Sequence, residues 1–172
     1  MFMLTSNFAL GAIFWDENRV QVKKLAVKNH RPIQDYGYSR EVVMQKIHLK
    51  KDTQGYYVED VYCHKTFRNV GPNRMPRHTV INIEHTWPQS RFSTRQSKRN
   101  QKADIHHLYP TESQSNSKRS SFYFSEVEHG TSPTYDCDDS KLGYNSEIGD
   151  TAFEPPEDHK GNVARALFYF SI

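Results

Sequence analysis

The stretch Thr79-Val80-Ile81-Asn82-Ile83-Glu84-His85-Thr86-Trp87-Pro88 decides how this chain is read. Thr79 to Ile83 is dense in β-branched residues, which favours a short strand. That strand delivers a neighbouring carboxylate and imidazole, Glu84 and His85, to its end, where Trp87-Pro88 breaks it. About twenty residues on, Asp104-Ile105-His106-His107-Leu108-Tyr109-Pro110 predicts a second short strand ending at proline. Ser113 to Phe122 follows as a helix, with Ser113 a candidate cap and Asn116, Lys118 and Arg119 along it. Strand, loop, strand and helix thus succeed one another.

Outward from this centre the chain shows no internal repeat and no low-complexity block. Ser39 to Ile47 combines a capping serine with apolar residues at helical spacing and predicts a helix. Tyr56 to Cys63 is β-branched and aromatic after Gly55, and predicts a strand. His64 to His78 and Gln89 to Lys102 read as basic loops. Gly161 to Phe170 predicts a terminal helix with one apolar face packed as core. Helices and short strands mix without a βαβ rhythm, so the expected fold is α+β in a single domain over 1–172.

The charge is distributed unevenly. The 172 residues carry 23 Lys plus Arg against 20 Asp plus Glu, a net +3. Between His64 and Lys102, however, nine basic residues face Glu84 alone, a local charge of +8. From Ser125 to Ile172 ten acids and three bases leave −7. Segregation of this kind concerns partners, and it points to a polyanion meeting the middle of the chain. A 13% aromatic content excludes disorder, and eight Gly and eight Pro without a period exclude a fibrous or linker chain. No apolar run approaches the ~20 residues that span a bilayer, so no membrane association is expected. Met1 to Phe8 is apolar but has no basic start and no small-residue cleavage site; it reads as mature chain or the remnant of a trimmed leader. Cys63 and Cys137 permit at most one internal disulfide, or two buried thiols.

The residue types around Glu84 and His85 suit phosphodiester hydrolysis. A neutral imidazole can take a proton from water near pH 7. A carboxylate and an amide oxygen offer hard ligands to a Mg²⁺-like ion, and arginines grip phosphate bidentately. A zinc-centred alternative would gather His64, His78, His106 and His107 with Cys63, but those spacings fit no tight zinc knuckle. His30, His48, His129 and His159 read as surface or satisfied core groups.

Three motifs, Asn82 to Pro88, Asp104 to Pro110 and Asn116-Ser117-Lys118-Arg119-Ser120, together resemble the endonuclease I family. These are nonspecific, periplasmic or secreted nucleases of the His-Me finger (ββα-metal) superfamily. Asp60-Val61-Tyr62-Cys63 and the segments Phe153 to Pro156 and Lys160 to Tyr169 extend the resemblance over roughly Tyr36 to Phe170. It implies a central ββα-metal motif surrounded by helices and short strands. It makes His85 the general base and Glu84 and Asn116 the ligands of one divalent cation, Mg²⁺ or alternatively Mn²⁺ or Ca²⁺. Arg91, Arg95, Arg99, Lys118 and Arg119 become the candidate substrate contacts, with His107 and Asp104 in support. The implied function is metal-dependent cleavage of DNA, with RNA as a further candidate, by a monomer that leaves 5′-phosphate ends. The alternative is a non-catalytic basic nucleic-acid-binding module of the same fold.

Overall fold

The computed structural model describes residues 6–28 and 30–171. The first five residues of the apolar opening lie outside the described residues, and helix α1 spans Ser6–Lys28. No helix among the described residues is long and apolar enough to cross a membrane.

Helix α2 (Tyr36–Val42) runs directly into a wider π-helical turn, Val43–Ile47. Its cap is Asp35, whose carboxylate accepts from the backbone N–H of Gly37 and Tyr38. Ser39, expected to cap, is instead fully buried one turn inside and donates its hydroxyl to Ala103 O. Strands β1 (Lys50–Asp52), β2 (Gly55–Glu59) and β3 (Thr66–Phe67) form an antiparallel sheet. The strand expected to reach Cys63 stops at Glu59. Asp60, fully buried, bends the chain by accepting from the N–H groups of Tyr62 and Cys63, and it takes a third N–H from Glu112. Clustered acceptors override the β propensity of Val61 and Tyr62.

Strand β4 (Ile81–His85) pairs antiparallel with β5 (Leu108–Glu112), and α4 (Ser113–Arg119) follows β5 without a linker. The expected strand–loop–strand–helix unit is therefore present, with Glu84 and His85 inside β4 rather than beyond it. The long connection is not all loop. Ser97 caps helix α3 (Lys98–Ala103) through the Asn100 N–H, and a 3-10 turn at Ile105–His107 precedes β5. Beyond α4, β6 (Tyr123–Phe124), β7 (His129–Thr131), β8 (Lys141–Asn145) and β9 (Asp150–Glu154) form a sheet in the order β6-β9-β8-β7. Helix α5 (Glu157–Ser171) closes the described chain, one turn longer at its start than expected.

Two apolar clusters hold these parts. Val43, Met44, Val58, Val70, Ile81, Ile83 and Leu108 pack the π-turn and β2 against the β4–β5 pair. Tyr62, Cys63, Cys137 and Phe153 join the Asp60 turn to the second sheet. Within the latter, Cys63 and Cys137 form a disulfide across 74 positions of sequence. That bond also removes Cys63 as a thiolate ligand of the zinc-centred alternative.

Candidate active site

Side chains alternate along a strand, so Glu84 and His85 leave β4 on opposite faces. They can flank one space only where the strand ends. There, Ile83, Glu84, His85, Pro88, Gln89 and Asn116 border a cleft of about 370 Å³, completed by Arg119, Ser120 and Ser121.

Glu84 is 2% exposed and is held from two sides. Tyr62 donates its hydroxyl to Glu84 Oε1 at 2.9 Å, and the Arg119 guanidinium pairs with the same oxygen at 3.1 Å. Burial pushes the Glu84 carboxyl above its ordinary range, while Arg119 and the Tyr62 hydrogen bond pull it back. Oε2 is the oxygen without a partner among the described residues. Asn116, on α4, spends both amide hydrogens: Nδ2 donates to Asn82 Oδ1 at 2.7 Å and to Ile83 O at 3.2 Å. This fixes the amide and makes Oδ1 its free acceptor. Two hard oxygen ligands thus border one cleft, a donor set that fits a Mg²⁺-like ion with its remaining waters.

His85 is oriented by the long connection. Its Nε2 lies 3.1 Å from Lys102 O, so this nitrogen carries the proton and Nδ1 keeps the lone pair. Gln89, four residues on, approaches Nδ1 at 3.4 Å. Burial lowers the imidazole to about 4, the Lys102 hydrogen bond opposing and the Lys102 and Arg119 charges adding to the shift. The ring is therefore a neutral base at pH 7. His107 packs edge-on against it with centroids 5.2 Å apart, is fully buried, and anchors the end of α3 through Gln101 O at 2.9 Å.

A family model described as Endonuclease I matches residues 19–172. The chain belongs to the endonuclease I family. It is also 36% identical over 95 residues to an extracellular ribonuclease of Bacillus subtilis (strain 168). That match covers 53% of this chain and 28% of the relative, so the chain spans less than a third of the relative's length.

Within this endonuclease I chain the other predicted residues are dispersed. Arg91 lines a neighbouring cavity with Trp87 and Tyr123 rather than the cleft: Nη2 donates to Ser121 O at 2.7 Å and the guanidinium lies 3.8 Å from the Tyr123 ring centroid. Arg95 is exposed, and Arg99 is tied through Nε to Gln34 O. Lys118 projects from the face of α4 opposite Asn116, towards Tyr135. Asp104 does not border the cleft; it caps the 3-10 turn and accepts from Tyr169. Arg119 is buried and committed to protein partners, donating to Thr86 O at 2.8 Å and to Ser120 O at 3.1 Å besides pairing with Glu84. Its expected phosphate contact is thereby replaced by a strut that ties α4 to the end of β4.

Several residues that shape the site carry no motif. Lys102 acts through a backbone carbonyl, which leaves no trace in sequence, and Tyr62 reaches Glu84 from 22 positions away. Ser120 borders the cleft with φ +52° and ψ −122°, a conformation that suits glycine and strains a side chain. Ser120→Gly is expected to raise stability by about 1 kcal/mol in urea unfolding. A destabilised variant would show that the serine is not strained.

Proposed function

We propose that this chain is a metal-dependent endonuclease that hydrolyses phosphodiester bonds of DNA, and also of RNA, with little sequence preference. The observation that carries the reading is the convergence on one cleft of a neutral base with a fixed tautomer and two free hard oxygens. His85 Nδ1 takes the proton from a water poised to attack phosphorus. In-line displacement then expels the 3′ oxygen, which takes a proton from solvent water to become a 3′ hydroxyl, and leaves a 5′-phosphate. Glu84 and Asn116 hold one divalent cation, Mg²⁺ in this reading, which supplies charge neutralisation at the phosphate when bound. Tyr62 and Arg119 position Glu84, and Asn82 positions Asn116. Arg91, bonded to Ser121 O beside the cleft, takes the scissile phosphate, and Arg95, Arg99 and Lys118 meet the backbone further out.

Contacts of this kind go to phosphate, which explains the expected lack of sequence preference. The extracellular ribonuclease relative supports RNA as a second substrate and a place outside the cytoplasm, periplasmic or secreted, for a chain acting as a monomer. The +8 segment supports a polyanionic partner in either case. Nicking of supercoiled plasmid and cleavage of a labelled RNA, each with Mg²⁺ and with EDTA, test the proposal. The expected result is cleavage of both, abolished by chelation and weakened by Glu84→Ala and Asn116→Ala. Salt-sensitive binding without product, whatever the cation, would instead identify a non-catalytic binding module.

A further inference from the structure

His30, Asp104 and His106 meet outside the cleft, each from a different part of the chain. His30 follows α1, Asp104 ends α3, and His106 lies in the turn before β5. The Asp104 carboxylate is their common centre. His106 Nδ1 lies 2.7 Å from Oδ1 and His30 Nε2 lies 3.8 Å from Oδ2. One donor atom from each of the three falls within 4.8 Å of the other two, and among the described residues this is the group so arranged. Ligands around a tetrahedral ion at metal distances near 2.0–2.1 Å sit roughly 3.3 Å apart, so shifts of up to about 1.5 Å, shared between the side chains, would close the set.

The surroundings hold the ligands in advance. Tyr169 donates to Asp104 Oδ2 at 2.8 Å and stacks on the His106 ring with centroids 4.7 Å apart. The His106 backbone N–H donates to Oδ1 at 3.0 Å. Such outer contacts orient metal ligands and sharpen affinity. A cavity of about 460 Å³ adjoins the group and leaves room for a fourth ligand. An ion pair between Asp104 and His106 would account for two of these residues. His30, from another segment, turns Nε2 towards the same carboxylate at 3.8 Å and towards the Tyr169 hydroxyl at 3.4 Å.

We propose that His30, Asp104 and His106 form a second metal site, selective for zinc-class divalent ions and separate from the hard-cation cleft. Two imidazoles and one carboxylate with an open position suit Zn²⁺, Co²⁺ or Ni²⁺, whereas Mg²⁺ prefers oxygens and water. The bound ion would fasten the segment after α1 to α3 and, through Tyr169, to α5. This inference does not depend on the proposed nuclease activity.

The probe is Co²⁺, titrated into the full chain in the presence of excess Mg²⁺ and followed by visible absorption and calorimetry. The expected result is one tightly bound Co²⁺ with tetrahedral ligand-field bands. His30→Ala and His106→Ala, both at solvent-accessible positions, should each weaken binding at least tenfold, and Tyr169→Phe should weaken it about tenfold. Glu84→Gln should leave the Co²⁺ bands in place. Absence of Co²⁺ uptake, uptake indifferent to both histidine variants, or uptake lost only in Glu84→Gln would each overturn the proposal.

Discussion

His85→Ala is expected to slow plasmid nicking by about 10²–10⁴-fold while DNA binding stays within a few-fold of the parent chain. The argument rests on which nitrogen is free. Lys102 O claims the Nε2 hydrogen, so only Nδ1 can accept a proton from water, and alanine leaves nothing in its place. In the proposed reading binding is carried elsewhere, by the exposed cations of the connection and by Arg91, which lines the neighbouring cavity. A truncated ring also leaves room beside Gln89, so added imidazole should restore part of the rate. That recovery separates lost chemistry from lost structure, because a misfolded variant would not respond. Full turnover in His85→Ala would remove the imidazole from the mechanism.

The ββα unit was legible because its signals are local. Glu84 and His85 are adjacent in a β-branched run, and Asn116 follows a serine-rich helix start. Where tertiary contacts decide, sequence reading failed in specific ways. Tyr56 to Cys63 has strand composition throughout, yet the buried Asp60 carboxylate gathers three N–H groups and ends the strand four residues early. Helix α3 hides in a polar, basic stretch because only Gln101 and Ala103 turn inward, too few to leave a period. The second sheet is built from strands of two to five residues in an acidic segment, below what alternation can reveal. Lys160, paired with Glu126, Glu154 and Glu157, shows that part of that negative charge is spent within the fold.

At the site, the motif residues were readable and their supports were not. Arg119 looked like a surface cation by composition, and only its 2% exposure against Glu84 reveals the strut. His30, read as a surface or satisfied core group, is indeed exposed, and the sequence did not reveal that it sits beside Asp104 and Tyr169, more than seventy positions away.

Stability should fall steeply as the medium is acidified below pH 6.5. Burial lowers His85 to about 4, His107 to about 3 and His159 to about 4, against an ordinary imidazole value of 6.5. Half-buried His48 is lowered to about 4 by burial and by Lys50. His107 has no acceptor for a proton on Nδ1 among the described residues, and burial leaves His159 Nε2 equally unpartnered. A histidine with a depressed folded pKa is neutral in both states above pH 6.5 and costs nothing there. Between 6.5 and 4 the unfolded chain takes up the proton and the folded chain does not, so each such group removes about 1.4 kcal/mol per pH unit. The three fully buried rings together give about 4 kcal/mol per pH unit, against a total typical of domains, about 5–15 kcal/mol. Buried Glu84 and Asp60, whose carboxyls burial holds above their ordinary range, work in the opposite direction near the carboxylate range, and so do two histidines. Burial lowers His64 but Asp139 and Asp158 outweigh it, and Asp104 raises His106; both side chains are more than a third exposed, so water screens the gain. Asp104 and Glu154, held below their ordinary values, withdraw support only near pH 4 and lower. Urea unfolding at pH 8, 6.5, 5.5 and 4.5 should therefore show a plateau above pH 6.5 and a loss of most of the stability by about pH 4.5. His159→Leu should flatten the slope by about one proton, roughly 1.4 kcal/mol per pH unit. A chain equally stable at pH 8 and pH 4.5 would mean that these rings open to water and protonate without disturbing the fold.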